Sequence, residues 1–244
     1  MARTFAAFGR NDLRGAGRDT LLVGMCLAPL VWIAAVRFGT PPVTRMLAED
    51  LRFDLVPYHP LIVVGFLLLT TPIVIGGVAA LLVLDERDAG TLTAIRVAPV
   101  SLGAYIAYRS VTAVGITLIY VLGTVSASGL FRLSLLPTLI PIGVLTGLSA
   151  LAIALTILAM AKNKVEGLAA IRALGIVVAG LPLLPSFIDS PWSMAFGLLP
   201  TYWPAQAFLA VSDGTPWWPY LVGGLVYHLL TLWPLYRRFS RTAW

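Results

Sequence analysis

Pro60-Leu-Ile-Val-Val-Gly-Phe-Leu-Leu-Leu-Thr-Thr-Pro-Ile-Val-Ile-Gly-Gly-Val-Ala-Ala-Leu-Leu-Val-Leu84 runs without one charged side chain, and Asp85-Glu86-Arg87-Asp88 follows at once. A bilayer-spanning helix needs about 20 mostly apolar residues, whereas a helix at the surface of a soluble domain keeps a polar stripe. This stretch has no such stripe. Pro60 suits a first helical turn, where its missing N–H costs nothing. Five further apolar runs lie on either side, at 20–38, 111–130, 135–161, 168–188 and 217–236. Pro182 and Pro185 are expected to kink or end the fifth.

Of the 244 residues 59% are hydrophobic and 11% charged, and the mean hydropathy is +0.90. Soluble domains carry roughly a quarter charged residues. The predicted class is therefore an all-α integral membrane protein whose six transmembrane helices fill residues 20–244, with no room for a large soluble catalytic domain. Cys26 is the single cysteine, which excludes an intramolecular disulfide or a cysteine metal cluster. His59 and His228 alone cannot build a zinc site. The pI near 9.8 reflects arginines that set topology rather than nucleic-acid binding.

Only Arg37, Arg45, Arg52 and Arg132 of the 17 basic residues fall on one side of the six runs. The positive-inside rule then puts both termini in the cytoplasm, as an even number of spans requires. Arginines ahead of 20–38, with Ala34-Ala35 near its end, also fit a cleavable leader; the long basic region before it favours a true span.

On a helical wheel, residues 1–19 place Phe5, Phe8 and Leu13 opposite Arg3, Arg10, Arg14 and Arg18. That pattern predicts an interfacial helix on the inner leaflet, against the alternative of a disordered basic tail. The 39–59 connection holds a short amphipathic segment at 43–55, and the third and fourth spans meet in a tight hairpin at Phe131-Arg132. Segment 189–216 is apolar but broken by Pro191, Pro200, Pro204 and Pro216, and carries Trp192, Tyr202 and Trp203. It reads as a re-entrant hairpin over the outer end, with those aromatics at an outer gate, or else as an aromatic belt loop. Gly76-Gly77, Gly143 with Gly147, and Gly223-Gly224 permit close helix packing.

No Walker A, H-E-x-x-H or G-x-S-x-G string occurs. His228 is the main ionisable group within a span, hence a functional candidate or a histidine bonded to a neighbouring helix. The densest polar feature is the 85–110 loop, Asp85-Glu86-Arg87-Asp88-Ala89-Gly90-Thr91-Leu92-Thr93-Ala94-Ile95-Arg96 and onward to Pro99 and Ser101. Leu92, Ile95 and Arg96 share one helical face, so a short helix here offers an apolar knob to a soluble partner. The alternative is a solvated loop whose acids balance nearby arginines.

This run resembles the acidic, Gly-Thr-Leu, Pro-Val-Ser signature of the ABC-2 type transporter permeases, and it follows the second of six spans as it does in that family. The short chain and its proline-broken outer end most resemble the small drug-export members of the fluoroquinolone-export kind. The resemblance implies a type V exporter-like fold, with Asp85, Glu86, Arg87 and Asp88 opening a cytoplasmic loop and Gly90-Thr91-Leu92 turning into its coupling helix. Leu92, Ile95 and Arg96 would face a separate ABC ATPase subunit. Thr93 stands where the family often has Glu, which removes one salt-bridge partner there.

It further implies a non-catalytic subunit with no cofactor of its own, ATP and Mg being held by the ATPase. A second permease, as homodimer or heterodimer, would complete a pathway for a hydrophobic, drug-like or lipid-like small molecule across the plasma membrane. Export of haem, polysaccharide or lipid shares this fold, so fold alone does not choose among them. An integral membrane lipid-modifying enzyme, or a membrane subunit that does not transport, is the competing class.

Overall fold

The computed structural model describes residues 19–90, 102–188 and 190–242 together with Gly9 and Gly17. Of the predicted interfacial helix at 1–19 only Gly9, Gly17 and Asp19 are described, and the coupling residues Thr91, Leu92, Ile95 and Arg96 lie outside the described residues. Everything regular that is described is helical: α1 Thr20–Asp50, α2 Val56–Asp88, α3 Leu102–Ala127, α4 Leu133–Met160, α5 Lys164–Phe187, α6 Tyr202–Ser212 and α7 Trp218–Thr242. Five of these, α1 to α5, are long and apolar enough to cross a membrane. The sequence predicts six. The last helix, α7, matches the others in length at 25 residues, but His228 and its Tyr, Trp and Pro residues make it less apolar.

Asp19 starts α1 by accepting hydrogen bonds from the Leu21 and Leu22 amides at 2.9 and 3.3 Å, satisfying two donors the first turn leaves open. The helix then runs past the expected end at residue 38 and absorbs most of the 39–59 connection. Pro41 and Pro42 would each collide with a carbonyl four residues back. The chain widens into a π turn at Ala35–Gly39, where those carbonyls sit, and the helix continues. The same device recurs in α2: Pro72 follows a π turn at Val64–Leu68, and the Thr71 hydroxyl donates to the Leu67 carbonyl at 2.7 Å.

The boundaries around 85–110 also shift. Residues 85–88 form the last turn of α2 rather than a loop, and α3 begins at Leu102 rather than near 111. The polar side chains that made these turns look like loop are spent on one another, as described below. The fifth span starts earlier than 168, because Asn163 caps the Glu166 amide at 2.9 Å while the Glu166 carboxylate accepts from the Lys162 amide at 2.8 Å. Its α-helical part ends at Gly180, and Leu181–Phe187 continues as a 3₁₀ helix through Pro182 and Pro185.

Helix α4 is the central post, touching α2, α3, α5 and α7. Contact is close because glycines remove side chains where backbones meet: a Cβ on Gly76 would lie 2.5 Å from the Ala150 carbonyl oxygen, and one on Gly147 2.9 Å from Val114 Cα. Two apolar clusters result. One gathers Leu22, Leu81, Leu84, Ile153, Ile157 and Phe239 near the end that carries Asp19 and Asp88, here called the inner end. The other gathers Val36, Leu67, Leu68, Leu139, Ile142 and Phe208 at the opposite, outer end.

Candidate functional site

The inner rim is built from the 85–88 turn. Glu86 forms an ion pair with Arg109 of α3, Nη2 to Oε1 at 2.5 Å, and accepts a short hydrogen bond from the Tyr105 hydroxyl. The Arg109 guanidinium also lies over the Tyr105 and Tyr108 rings, 5.3 and 5.7 Å from their centroids. Asp85 and the α1 cap Asp19 share one ammonium: Lys164 Nζ is 3.0 Å from Asp85 Oδ1 and 2.6 Å from Asp19 Oδ2. Asp88 accepts from the Lys164 amide at 3.1 Å, a carboxylate at a helix N-terminus where the backbone dipole favours it. Arg87 donates to the Ala161 carbonyl at 3.4 Å, just past the end of α4.

All four side chains of the 85–88 turn are thus engaged within the chain, tying α2 to α1, α3, α4 and α5. The Lys164 ammonium and the cap amides hold the Asp19 carboxyl below the usual aspartate range, against a smaller opposing effect of desolvation. Gly90 follows in a left-handed turn, φ 69°, which a glycine enters without steric cost. It is the last described residue before the proposed coupling segment.

Sequence reading located the acidic turn but not its partners. Lys164, Asp19, Arg109 and Tyr105 were missed. Nothing local marks them: Lys164 lies 79 positions from Asp85. No group of three or more His, Cys, Asp or Glu side chains among the described residues is arranged to hold a metal ion.

At the outer end, segment 189–216 folds as a 3₁₀ stretch, Pro191–Leu198, and the regular helix α6. It is more ordered than its prolines suggest, since α6 buries Tyr202, Ala205, Ala207 and Phe208. Polar contacts tie it to three helices. Thr201 donates to the Val178 carbonyl of α5 at 2.6 Å, Ser149 of α4 lies 2.9 Å from the Pro200 carbonyl, and Tyr227 of α7 donates to the Leu198 carbonyl at 2.6 Å. Tyr202 and Trp203 meet edge to face at 5.5 Å, and Trp203 seats against Gly224, whose Cβ would fall 2.7 Å from its own. Trp192 stands apart from this pair, 81% exposed.

His228 lies under the same hairpin, fully buried. The Gly224 carbonyl, 2.7 Å from Nδ1, requires a proton on that nitrogen, so neutral imidazole presents Nε2 as an acceptor. Ser149 Oγ is 3.1 Å away. One hydroxyl therefore stands between the histidine of α7 and the Pro200 carbonyl of the hairpin.

A third feature was not predicted. A groove of about 560 Å³ runs between α1, α2 and α3 on the inner half, lined by Cys26, Val78, Ala79, Tyr108, Arg109 and Thr112 among others. The Tyr120 hydroxyl donates to the Cys26 carbonyl at 3.0 Å at its outer limit.

Comparison with known sequences speaks to this arrangement. The profile of the family described as "Fluoroquinolones export permease protein Rv2686c-like" matches residues 12–236. Two relatives in Mycobacterium tuberculosis are each 55% identical over 237 residues, which is 97% of this chain and 94% of theirs. They are the fluoroquinolones export permease protein MT2760 of strain CDC 1551 / Oshkosh and the fluoroquinolones export permease protein Rv2686c of strain ATCC 25618 / H37Rv. With long apolar helices, a stapled inner rim and likeness along nearly its whole length, the chain belongs to the Rv2686c-like family of fluoroquinolones export permease proteins.

Proposed function

We propose that this protein is the membrane-spanning subunit of an ATP-driven exporter of fluoroquinolone-like, planar amphipathic drugs, with hydrolysis performed by a separate ABC ATPase subunit. The observation that carries the reading is the 55% identity to an export permease over 97% of the chain. The rim supports it: a push on the 89–101 segment reaches α2 directly, and the Asp85–Lys164–Asp19 contacts pass it to α5 and α1. In this reading α7 is the sixth span, both termini are cytoplasmic, and Leu92, Ile95 and Arg96 dock on the ATPase. Two permease subunits pair, and transport is a shift between inward- and outward-facing states driven by their differential binding to the ATP-bound ATPase.

The test is a reconstituted complex of permease and ATPase. A fluoroquinolone should stimulate ATP hydrolysis, and Leu92→Asp with Ile95→Asp should release the ATPase on co-purification while the permease stays in the membrane. Unchanged co-purification overturns the docking assignment. Absence of stimulation by any amphipathic drug, with stimulation by a lipid, overturns the cargo.

A further inference from the structure

We propose that Arg172 of α5 holds the carboxylate of the drug during its passage, on a helix face that borders the transport path. The proposal rests on the export reading and adds a residue that selects the cargo. Arg172 lies well inside the apolar layer. It stands eight residues beyond Lys164 of the inner rim, about 12 Å along the helix at 1.5 Å per residue. The neighbouring helices give the same depth. A Cβ on Gly77 would come 3.0 Å from Ile171 Cδ1 and 3.2 Å from Met25 Cε, and Gly77 is eight residues from Asp85 within the charge-free run of α2. Ile171 is buried against that run, whereas Arg172 beside it is exposed. Val165 and Ile176, two turns before and one turn after Arg172 on the same face, are each 80% exposed. A charge at this depth is costly against hydrocarbon and almost always faces protein or a water-filled cavity. This face of α5 is therefore the side turned to the path rather than to lipid.

Among the described residues the Arg172 side chain has no ion-pair or hydrogen-bond partner. The described carboxylates lie at the two ends of the bundle, with Asp19, Asp85 and Glu166 at the inner rim and Asp54 and Asp213 at the outer end. A second copy related by a two-fold axis along the membrane normal sets its carboxylates at the same two levels, and a second Arg172 at this one. The counter-charge therefore comes from a ligand. The fluoroquinolone cargo of the export reading is a flat aromatic acid, and a planar guanidinium grips a carboxylate through two parallel hydrogen bonds. Low-dielectric surroundings strengthen that contact. A phospholipid phosphate stays at headgroup level, two helical turns nearer the rim, and meets Arg172 only if the side chain bends back along the helix.

The test uses purified full-length permease in lipid nanodiscs, with norfloxacin binding followed by fluorescence titration. Arg172→Gln should weaken binding of the acid at least tenfold, and Arg172→Lys, which keeps the charge, by no more than threefold. The methyl ester of norfloxacin should bind the native chain at least fivefold more weakly than the acid, and the two should bind Arg172→Gln alike. Arg132→Gln, which removes an exposed charge at the outer end, should leave both affinities unchanged. The unfolding midpoint of Arg172→Gln should stay at the native value, since no contact within the chain is lost.

Native affinity of Arg172→Gln for the acid, with the preference over the ester intact, places the carboxylate elsewhere and overturns the proposal while the export reading stands. An ester that binds the native chain as well as the acid does the same. A lowered midpoint in both Arg172 variants makes the residue structural and overturns its role in binding. Phospholipid retained by the native chain and lost from Arg172→Gln, with drug binding intact, makes the arginine a headgroup anchor and overturns the proposal. No drug binding to the native chain, alone or with its ATPase, overturns both readings.

Discussion

Glu86 of α2 and Arg109 of α3 form an ion pair at 2.5 Å whose side chains are only 18% and 12% exposed. Removing one partner of a mostly buried pair takes away the other's counter-charge and costs up to roughly 3–5 kcal/mol, whereas replacing both with apolar side chains is often neutral. Glu86→Ala should therefore lower the unfolding midpoint of the purified permease sharply, and Glu86→Met with Arg109→Met should restore most of it. A single substitution that leaves the midpoint unchanged, yet releases the ATPase, would make Glu86 a docking residue instead.

The Asp19–Lys164 contact predicts a pH dependence of definite sign. The folded Asp19 carboxyl titrates below its ordinary value because the Lys164 ammonium and two backbone amides favour the charged form. Its stabilisation is present above the unfolded aspartate value of about 3.9 and fades as pH falls through the lower, folded value. The pair is partly exposed, so the effect is under about 1 kcal/mol. Asp19→Asn keeps a capping oxygen and removes the charge. Unfolding midpoints measured from pH 6 to pH 3 should fall less steeply in this variant than in the native chain.

Ser149 of α4 lies between His228 of α7 and the Pro200 carbonyl, at 3.1 and 2.9 Å. Ser149→Ala takes away the one hydroxyl proton that lies within reach of both acceptors, Nε2 and the Pro200 carbonyl; a buried group stripped of its partner costs about 1–3 kcal/mol. His228→Ala should give a loss of similar size, and the double variant should cost less than the sum, since the two share one contact. Hydrogen exchange at 199–203 is the local readout. Exchange that stays at native rates in Ser149→Ala would separate the hairpin from this node.

Helix existence was legible because a membrane helix must be apolar along its whole length, as 60–84 and 135–161 are. Helix ends were not. At 85–88 and in the first turns of α3, polar residues that signal a loop in isolation are neutralised across the bundle: Glu86 by Arg109, Asp85 by Lys164. A single sequence carries no record of which distant charges meet. The π turns hid the continuity of α1 for a related reason. Each adds one residue to a turn, so side chains before Ala35 and after Gly39 fall on faces offset by about 100°, and no single stripe crosses the join. The acidic turn and His228 stood out because charge is scarce in this chain. The groove did not, because its walls are ordinary apolar residues brought together by packing.

One ammonium serves three chain segments at the inner rim. Lys164 grips the cap of the first helix and the last turn of the second while starting the fifth. A displacement of any one of these ends therefore pulls on the other two through short polar contacts, beside the apolar packing of Leu22, Leu81, Leu84 and Ile171.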